Sequence, residues 1–144
     1  MNENILKKIK TSFAAQSLMA TFGAELERIE PGNVRIVAPI LENARQQHGF
    51  GHAGLTFSLG DSAAGYAALS LMDAQDEVLT AEIKINLLAP AQGDMLRATG
   101  RVIKPGRRLI VVDAQVHAIA DGVETLIAVL QGTMVPLSGP PAPA

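Results

Sequence analysis

The 144-residue chain is 48% apolar and only 18% charged. It fits one domain that buries roughly 70% of its unfolded surface, and its charged share, below the usual level of about 25%, suggests that a second subunit or a ligand covers part of the surface. A net charge of -2 and a single Tyr with no Trp exclude the basic, aromatic-studded surface of a nucleic-acid binder, and the lack of any Cys excludes disulfides, thiolate metal sites and a cysteine nucleophile.

Residues 1–20 place Ile5, Leu6, Ile9, Phe13, Leu18 and Met19 at mostly helical spacing, with Lys7, Lys8 and Lys10 on the other side. This predicts an amphipathic helix that lies over a core as a solvated lid. The segment lacks the apolar core and cleavage site of a secretory leader, and no apolar run approaches the length of about 18 residues that spans a bilayer. A cytoplasmic protein without membrane contact is expected. Two strands follow, near 24–29 and 33–38, joined at Glu30-Pro31-Gly32-Asn33, where Pro presets its torsion and Gly accepts positive φ. The polar, glycine-rich stretch LENARQQHGFGHA, 41–53, reads as a loop. From 54 to 71 the residues Leu55, Leu59, Ala63, Tyr66, Ala67 and Ser70 recur at helical spacing among small neighbours. Such a helix is buried on most faces, and Asp61 is its only charge.

Strands then alternate to residue 136. Apolar and polar residues take turns over 79–87; Pro90–Asp94 turns the chain into 95–104; Pro105-Gly106-Arg107 leads into 109–120; and Asp121-Gly122 is a hairpin signal before 124–135. The tail, 138–144, is rich in Pro and predicted to be disordered. The fold class is α+β: an N-terminal helix (1–20), a main domain (21–137) in which a curved antiparallel sheet wraps one long central helix, and the tail.

Several motifs compete for the chemistry. Gly49-Phe50-Gly51-His52-Ala53-Gly54 matches G-x-G-x-x-G, but the preceding ENARQQ is no buried strand, and no acid ends the next strand. Gly60-Asp61-Ser62 resembles a serine-nucleophile triplet, yet Ser62 falls inside a helix without an exposed elbow. His48 and His52 are four apart with glycines between them, so no preformed helical metal pair is expected, and no metal is assigned. The mid-strand His117 is expected to have a structural or surface role.

What remains is the junction from loop to helix and the acid beyond it. Free amides at a helix start can point at an oxygen that gains negative charge. Asp61 has no basic neighbour on its small-sided helix, and a carboxylate is rarely buried there without a purpose. Nine residues of helix rise about 13 Å, too far for His52 and Asp61 of one chain to act on the same carbonyl. Two such helices packed antiparallel about a two-fold axis would bring Asp61 of one chain to the junction of the other, and Ala63, Ala64, Gly65, Ala67 and Ala68 permit the approach.

The segment QQHGFGHAGLTFSLGDSAAGYAA, followed by VLTAEIKINLLAPAQGD, resembles the PaaI-like acyl-CoA thioesterases of the hotdog superfamily over roughly residues 20–136. The family pattern has an amide residue, a Gly three places on, His-Gly-Gly after three more, and an acid nine beyond that His; Gln46, Gly49, His52-Ala53-Gly54 and Asp61 stand at those places. Two residues depart from it. Gln46 replaces the frequent Asn, and Ala53 replaces the first Gly of the pair, keeping the N–H and adding a methyl.

The resemblance implies a hotdog fold and a thioester carbonyl held by the Ala53 or Gly54 amide. It also implies that Gln46 orients carbonyl or water, that His52 supports this shell, and that Thr80 helps hold the water. Asp61 of the partner chain would be general base or nucleophile. No cofactor is implied. The partners implied are the acyl-CoA substrate and a second copy of the chain, with dimers pairing into tetramers. Lys104, Arg107 and Arg108 cluster at a turn where they could meet the phosphates of coenzyme A, or form an ordinary solvated turn. Phe50, Leu55, Phe57 and Tyr66 are candidates for the acyl pocket, although each is first expected to be an ordinary core residue. Two other functions fit the same fold: a hotdog hydratase or dehydratase, and a non-catalytic acyl-CoA binder.

Overall fold

The computed structural model describes residues 1–139. In chain order it contains α1 (Glu3–Ala15), α2 (Ser17–Thr21), β1 (Glu25–Glu30), β2 (Asn33–Pro39), a 3-10 turn (Glu42–Ala44), α3 (Ala53–Leu69), β3 (Glu77–Leu87), β4 (Met95–Lys104), β5 (Ile110–Ala120) and β6 (Val123–Leu137). The six strands form one sheet in the order β1-β2-β4-β5-β6-β3, and every pairing is antiparallel. This is the hotdog arrangement. It also disposes of the dinucleotide fingerprint, which needs a parallel βαβ unit.

Ala and Leu, both strong helix formers, supply eight of the 17 residues of helix α3. Leu55, Leu59, Ala63, Ala67 and Ala68 are fully buried against the sheet, and each buried Leu contributes about 1.5–3 kcal/mol. Small residues on both sides set the close approach. A Cβ at Gly100 on β4 would stand 2.2 Å from the Ala63 carbonyl carbon, and one at Gly60 would meet Leu130 at 2.8 Å. The helix therefore lies hard against β4, and its position along the sheet is fixed by shape.

The expected single helix over 1–20 is two. Gln16 adopts an extended backbone (φ -77, ψ 100) that ends α1 and precedes α2. Ile5, Ile9 and Met19 are buried, as a lid requires, but Leu18 is 49% exposed because the break rotates it off the apolar stripe. Lys8 turns inward, ion-pairing with Glu77 at 2.8 Å and donating to the Asp76 carbonyl, so it is no part of the solvated face. No helix among the described residues is long and apolar enough to cross a membrane. Of the tail expected over 138–144, Ser138 and Gly139 follow β6 as bends, and 140–144 lie outside the described residues.

Strand β3 forms one edge of the sheet, bonded only to β6. Although its sequence alternates, Leu79 and Leu87 are 49% and 55% exposed. A long edge with unpaired amides and exposed leucines is what a second chain would cover.

Candidate active site

The loop before α3 is a small hairpin closed by backbone bonds. Gly51 N–H donates to Ala91 O (2.8 Å), His52 N–H to Ala44 O (2.9 Å), and Gln46 N–H to Phe50 O (2.8 Å). Arg45 braces it from below, donating to Gly49 O at 2.6 Å and Ile40 O at 2.8 Å. Gly49 supplies the positive φ (85°) at the tip. At Gly51 a Cβ would come within 3.0 Å of the Ala91 side chain, so the loop lies against the chain before β4.

This frame presents Gln46, Phe50, Ala53 and Thr56 to one cleft of about 460 Å³, walled opposite by Leu87, Leu88 and Pro90. The Gln46 side-chain oxygen accepts from the His48 amide, which leaves its NH2 group available to donate. His52 is the N-cap of α3, and its Nδ1 accepts from Gly54 N–H at 2.8 Å. The Gly54 amide is therefore occupied. Of the two amides expected at the helix start, Ala53's is the one with no intramolecular acceptor among the described residues. His52 itself holds the helix end.

Asp61 opens into a different pocket, of about 190 Å³, between α3, β3 and the N-terminal helices. Its burial falls short of expectation: in the single chain it is half-buried, because this side of α3 faces away from the sheet's inner surface. It is not alone, either. Thr80 on β3 donates a hydrogen bond to Asp61 Oδ1 at 2.7 Å. Ser62 is internal to α3, as expected, with no neighbouring base to activate it among the described hydrogen bonds.

The single chain thus keeps the two groups of residues apart. Gln46 and Ala53 share one cleft; Asp61 and Thr80 share another, about 12 Å along the helix. Lys104, Arg107 and Arg108 are exposed at the β4–β5 turn. Ile110 pairs with Met134 and Met134 with Thr80, so this turn belongs to the Asp61 end of the sheet. Of the acyl-pocket candidates, Phe50 lines the Ala53 cleft and Tyr66 the Asp61 pocket. Leu55 is core, and Phe57 packs partly buried against it. Ser12 and Gln16, which line the Asp61 pocket, carry no signal of that role in the sequence, since nothing local places α1 beside α3.

Comparison with known proteins bears on the family and the fold. The model of the thioesterase superfamily matches residues 48–125. A Saccharolobus solfataricus protein, provisionally named an esterase, is 33% identical over 93% of this chain and 90% of its own. The 1,4-dihydroxy-2-naphthoyl-CoA hydrolase of Listeria monocytogenes is 27% identical over 81% of this chain and 93% of its own. Among solved structures, a thioesterase family protein from Silicibacter pomeroyi superposes with a TM-score of 0.91 at 44% identity, covering 94% of this chain and 99% of that one. The PaaI protein of Escherichia coli shares the fold, with a TM-score of 0.83 at 20% identity over 95% and 96% of the two chains. The chain belongs to the thioesterase superfamily, with the hotdog fold of its PaaI-like members. It is a thioester hydrolase.

Proposed function

We propose that the protein hydrolyses acyl-CoA thioesters to free acid and coenzyme A, in the cytoplasm, at sites shared between two copies of the chain. The observation that carries this reading is the Asp61 carboxylate, held by Thr80 at 2.7 Å and open to a pocket. The other half of the machinery, the Ala53 amide and the Gln46 NH2, lies about 12 Å away on the same helix and loop. A two-fold axis that pairs β3 with β3 of a second copy sets the α3 helices side by side and closes each half-site with the complementary one. By the family resemblance, two such dimers associate.

In this site the thioester carbonyl accepts hydrogen bonds from Ala53 N–H and Gln46 Nε2. Asp61 of the partner takes a proton from a water held with Thr80, and the water oxygen bonds to the carbonyl carbon. The oxyanion is stabilised by the same two donors, each contributing roughly 10²–10³-fold. Collapse breaks the C–S bond and expels a thiolate with a pKa near 8.5, a far better leaving group than an amine. No triad is needed. The nucleophilic route, in which Asp61 attacks first and water then opens a mixed anhydride, uses the same atoms. Single turnover in ¹⁸O water identifies the second route when water opens the anhydride at the Asp61 carbonyl: the label then enters Asp61, which the general-base route never labels.

Thiol release from a panel of acyl-CoAs tests the function, with no background from a cysteine-free protein. Asp61→Asn is expected to lower kcat at least about 100-fold. A variant within threefold of wild type would remove Asp61 from the reaction. Addition of water to an enoyl-CoA without thiol release would favour the hydratase reading, and tight binding without turnover the binder.

A further inference from the structure

The sheet has a second face. On β2, β4 and β5 the residues Val34, Ile36, Ala98, Ala114 and Val116 are buried in the core beneath α3, so the residues that alternate with them point the other way. Arg35, Arg97, Thr99, Arg101, Gln115 and His117 do so, and with Asn33 and Glu124 they line a basin of about 310 Å³. No residue of α3, of the loop before it or of β3 contributes to its walls. The basin and the Asp61 pocket therefore lie on opposite faces of the sheet.

Arginines crowd this face. Register sets Arg28 on β1 directly opposite Arg35, Arg35 opposite Thr99, and Thr99 opposite Gln115. Arg97 and Arg101 stand two residues to either side of Thr99, each about 7 Å along the strand. Like charges directly opposite destabilise a sheet, and carboxylates offset three of the four. Arg28 is paired with Glu30, Arg97 with Glu27 and Glu124, and Arg101 with Asp113. Arg35 has no carboxylate among the described ion pairs. Its Nε is sealed from solvent and finds no acceptor, so its charge is left to the Nη groups at the basin.

A guanidinium fork matches two oxygens of one anion. Thr99 and Gln115 beside it add a hydroxyl and an amide NH2 as further donors, which suits a tetrahedral oxyanion better than a carboxylate with only two oxygens. A second copy seated on this face would not supply the missing charge, because Glu27, Glu124 and Asp113, the carboxylates that border the basin, already hold arginines of their own chain.

We propose that the basin binds a phosphate-class oxyanion, with Arg35 as its principal ligand and Thr99 and Gln115 as supporting donors, at a site separate from the thioester chemistry. The anion gives Arg35 its counter-charge and ties β2 to β4 and β5. Free phosphate and the nucleotide of coenzyme A both carry this chemistry, and the face on which the basin lies favours the first.

The test uses inorganic phosphate as the probe, with ionic strength held constant by chloride. Phosphate is expected to bind wild type with a dissociation constant of about 1 mM or below in calorimetry, and to raise Tm by about 3–5 °C at ten times that concentration. Arg35→Gln should abolish both effects, with a Tm in phosphate-free buffer equal to wild type or above it, since an uncompensated charge is removed. Arg35→Lys keeps the charge without the fork and should bind at least about fivefold more weakly. An Arg35→Gln variant less stable than wild type by the same amount with and without phosphate would make Arg35 a structural residue and overturn the proposal. An equal response to chloride would do the same. In phosphate-free assays Arg35→Gln is expected to keep kcat/KM for an acyl-CoA within about twofold of wild type. A KM raised for the CoA thioester but not for the matching pantetheine thioester would put the substrate's own nucleotide in the basin and overturn its separateness. Different sedimentation of wild type and Arg35→Gln without phosphate would put another copy there, and overturn the anion.

Discussion

Thr80 Oγ1 and Asp61 Oδ1 are joined at 2.7 Å across the gap between β3 and α3, nineteen residues apart in the chain. A hydroxyl has one proton to give, and here it points at the carboxylate; the other acceptor within reach, the Met134 sulfur, is a poorer one at 3.3 Å. The bond fixes the rotamer of an acid that has no basic partner among the described residues, and leaves its second oxygen to face the pocket.

Thr80→Val keeps the shape and removes the proton. A hydrogen bond to a charged group contributes about 1.5–3 kcal/mol, so kcat is expected to fall about tenfold or more with KM within threefold. Thr80→Ser should restore most of the loss. A Val variant with unaltered kcat would show that Asp61 is held by other means.

His52 makes a prediction of a different kind. Its extended backbone and the 2.8 Å bond from Gly54 N–H to Nδ1 are those of an N-cap. His52→Ala should lower the unfolding free energy by about 1 kcal/mol, measured by urea denaturation, and lower kcat by letting the Ala53 amide wander. His52→Asn caps equally well and should recover both. If His52→Asn were as stable as wild type but as slow as His52→Ala, the imidazole would have to touch the substrate directly.

The β4–β5 turn bears on coenzyme A rather than on the acyl group. Arg107 and Arg108 are exposed and have no carboxylate partner among the described ion pairs. If they meet phosphates, Arg107→Gln with Arg108→Gln should raise KM for a CoA thioester about tenfold relative to the matching pantetheine thioester, which lacks the nucleotide. High salt should shrink the difference. Equal changes for both substrates would return the turn to ordinary solvent.

Much of this was written locally in the chain. The Pro31-Gly32 turn marked the first two strands, alternation and turn residues marked the later ones, and the small-sided helical period marked α3 with Asp61 as its only charge. What stayed hidden depends on distant partners. Nothing at Gln16, with neither Gly nor Pro beside it, signals the break between α1 and α2; the break lets Gln16 reach Tyr66, fifty residues on. Lys8 reads as a solvated lysine because Glu77, its partner, arrives from another element. The half-burial of Asp61 has the same origin: spacing reports a helix that is small on every side, not which side the sheet covers.

The edge of the sheet carries the last prediction. On β3, Glu82 and Lys84 are exposed neighbours on one face, flanking Ile83. For two copies paired antiparallel about an axis at Ile83, each Glu82 stands opposite Lys84 of the partner, giving two opposite-charge pairs. Such pairs are worth roughly 0.2–1 kcal/mol each, and like charges in their place cost similar amounts. Lys84→Glu should therefore weaken the dimer by about 1–3 kcal/mol, raising its dissociation constant roughly 5–150-fold in sedimentation equilibrium. On the proposed shared site, activity per chain should become concentration-dependent in step. Glu82→Lys combined with Lys84→Glu restores opposite charges across the axis and should recover both association and turnover. A single variant that dimerises like wild type would place the axis elsewhere along β3, or the interface on another face.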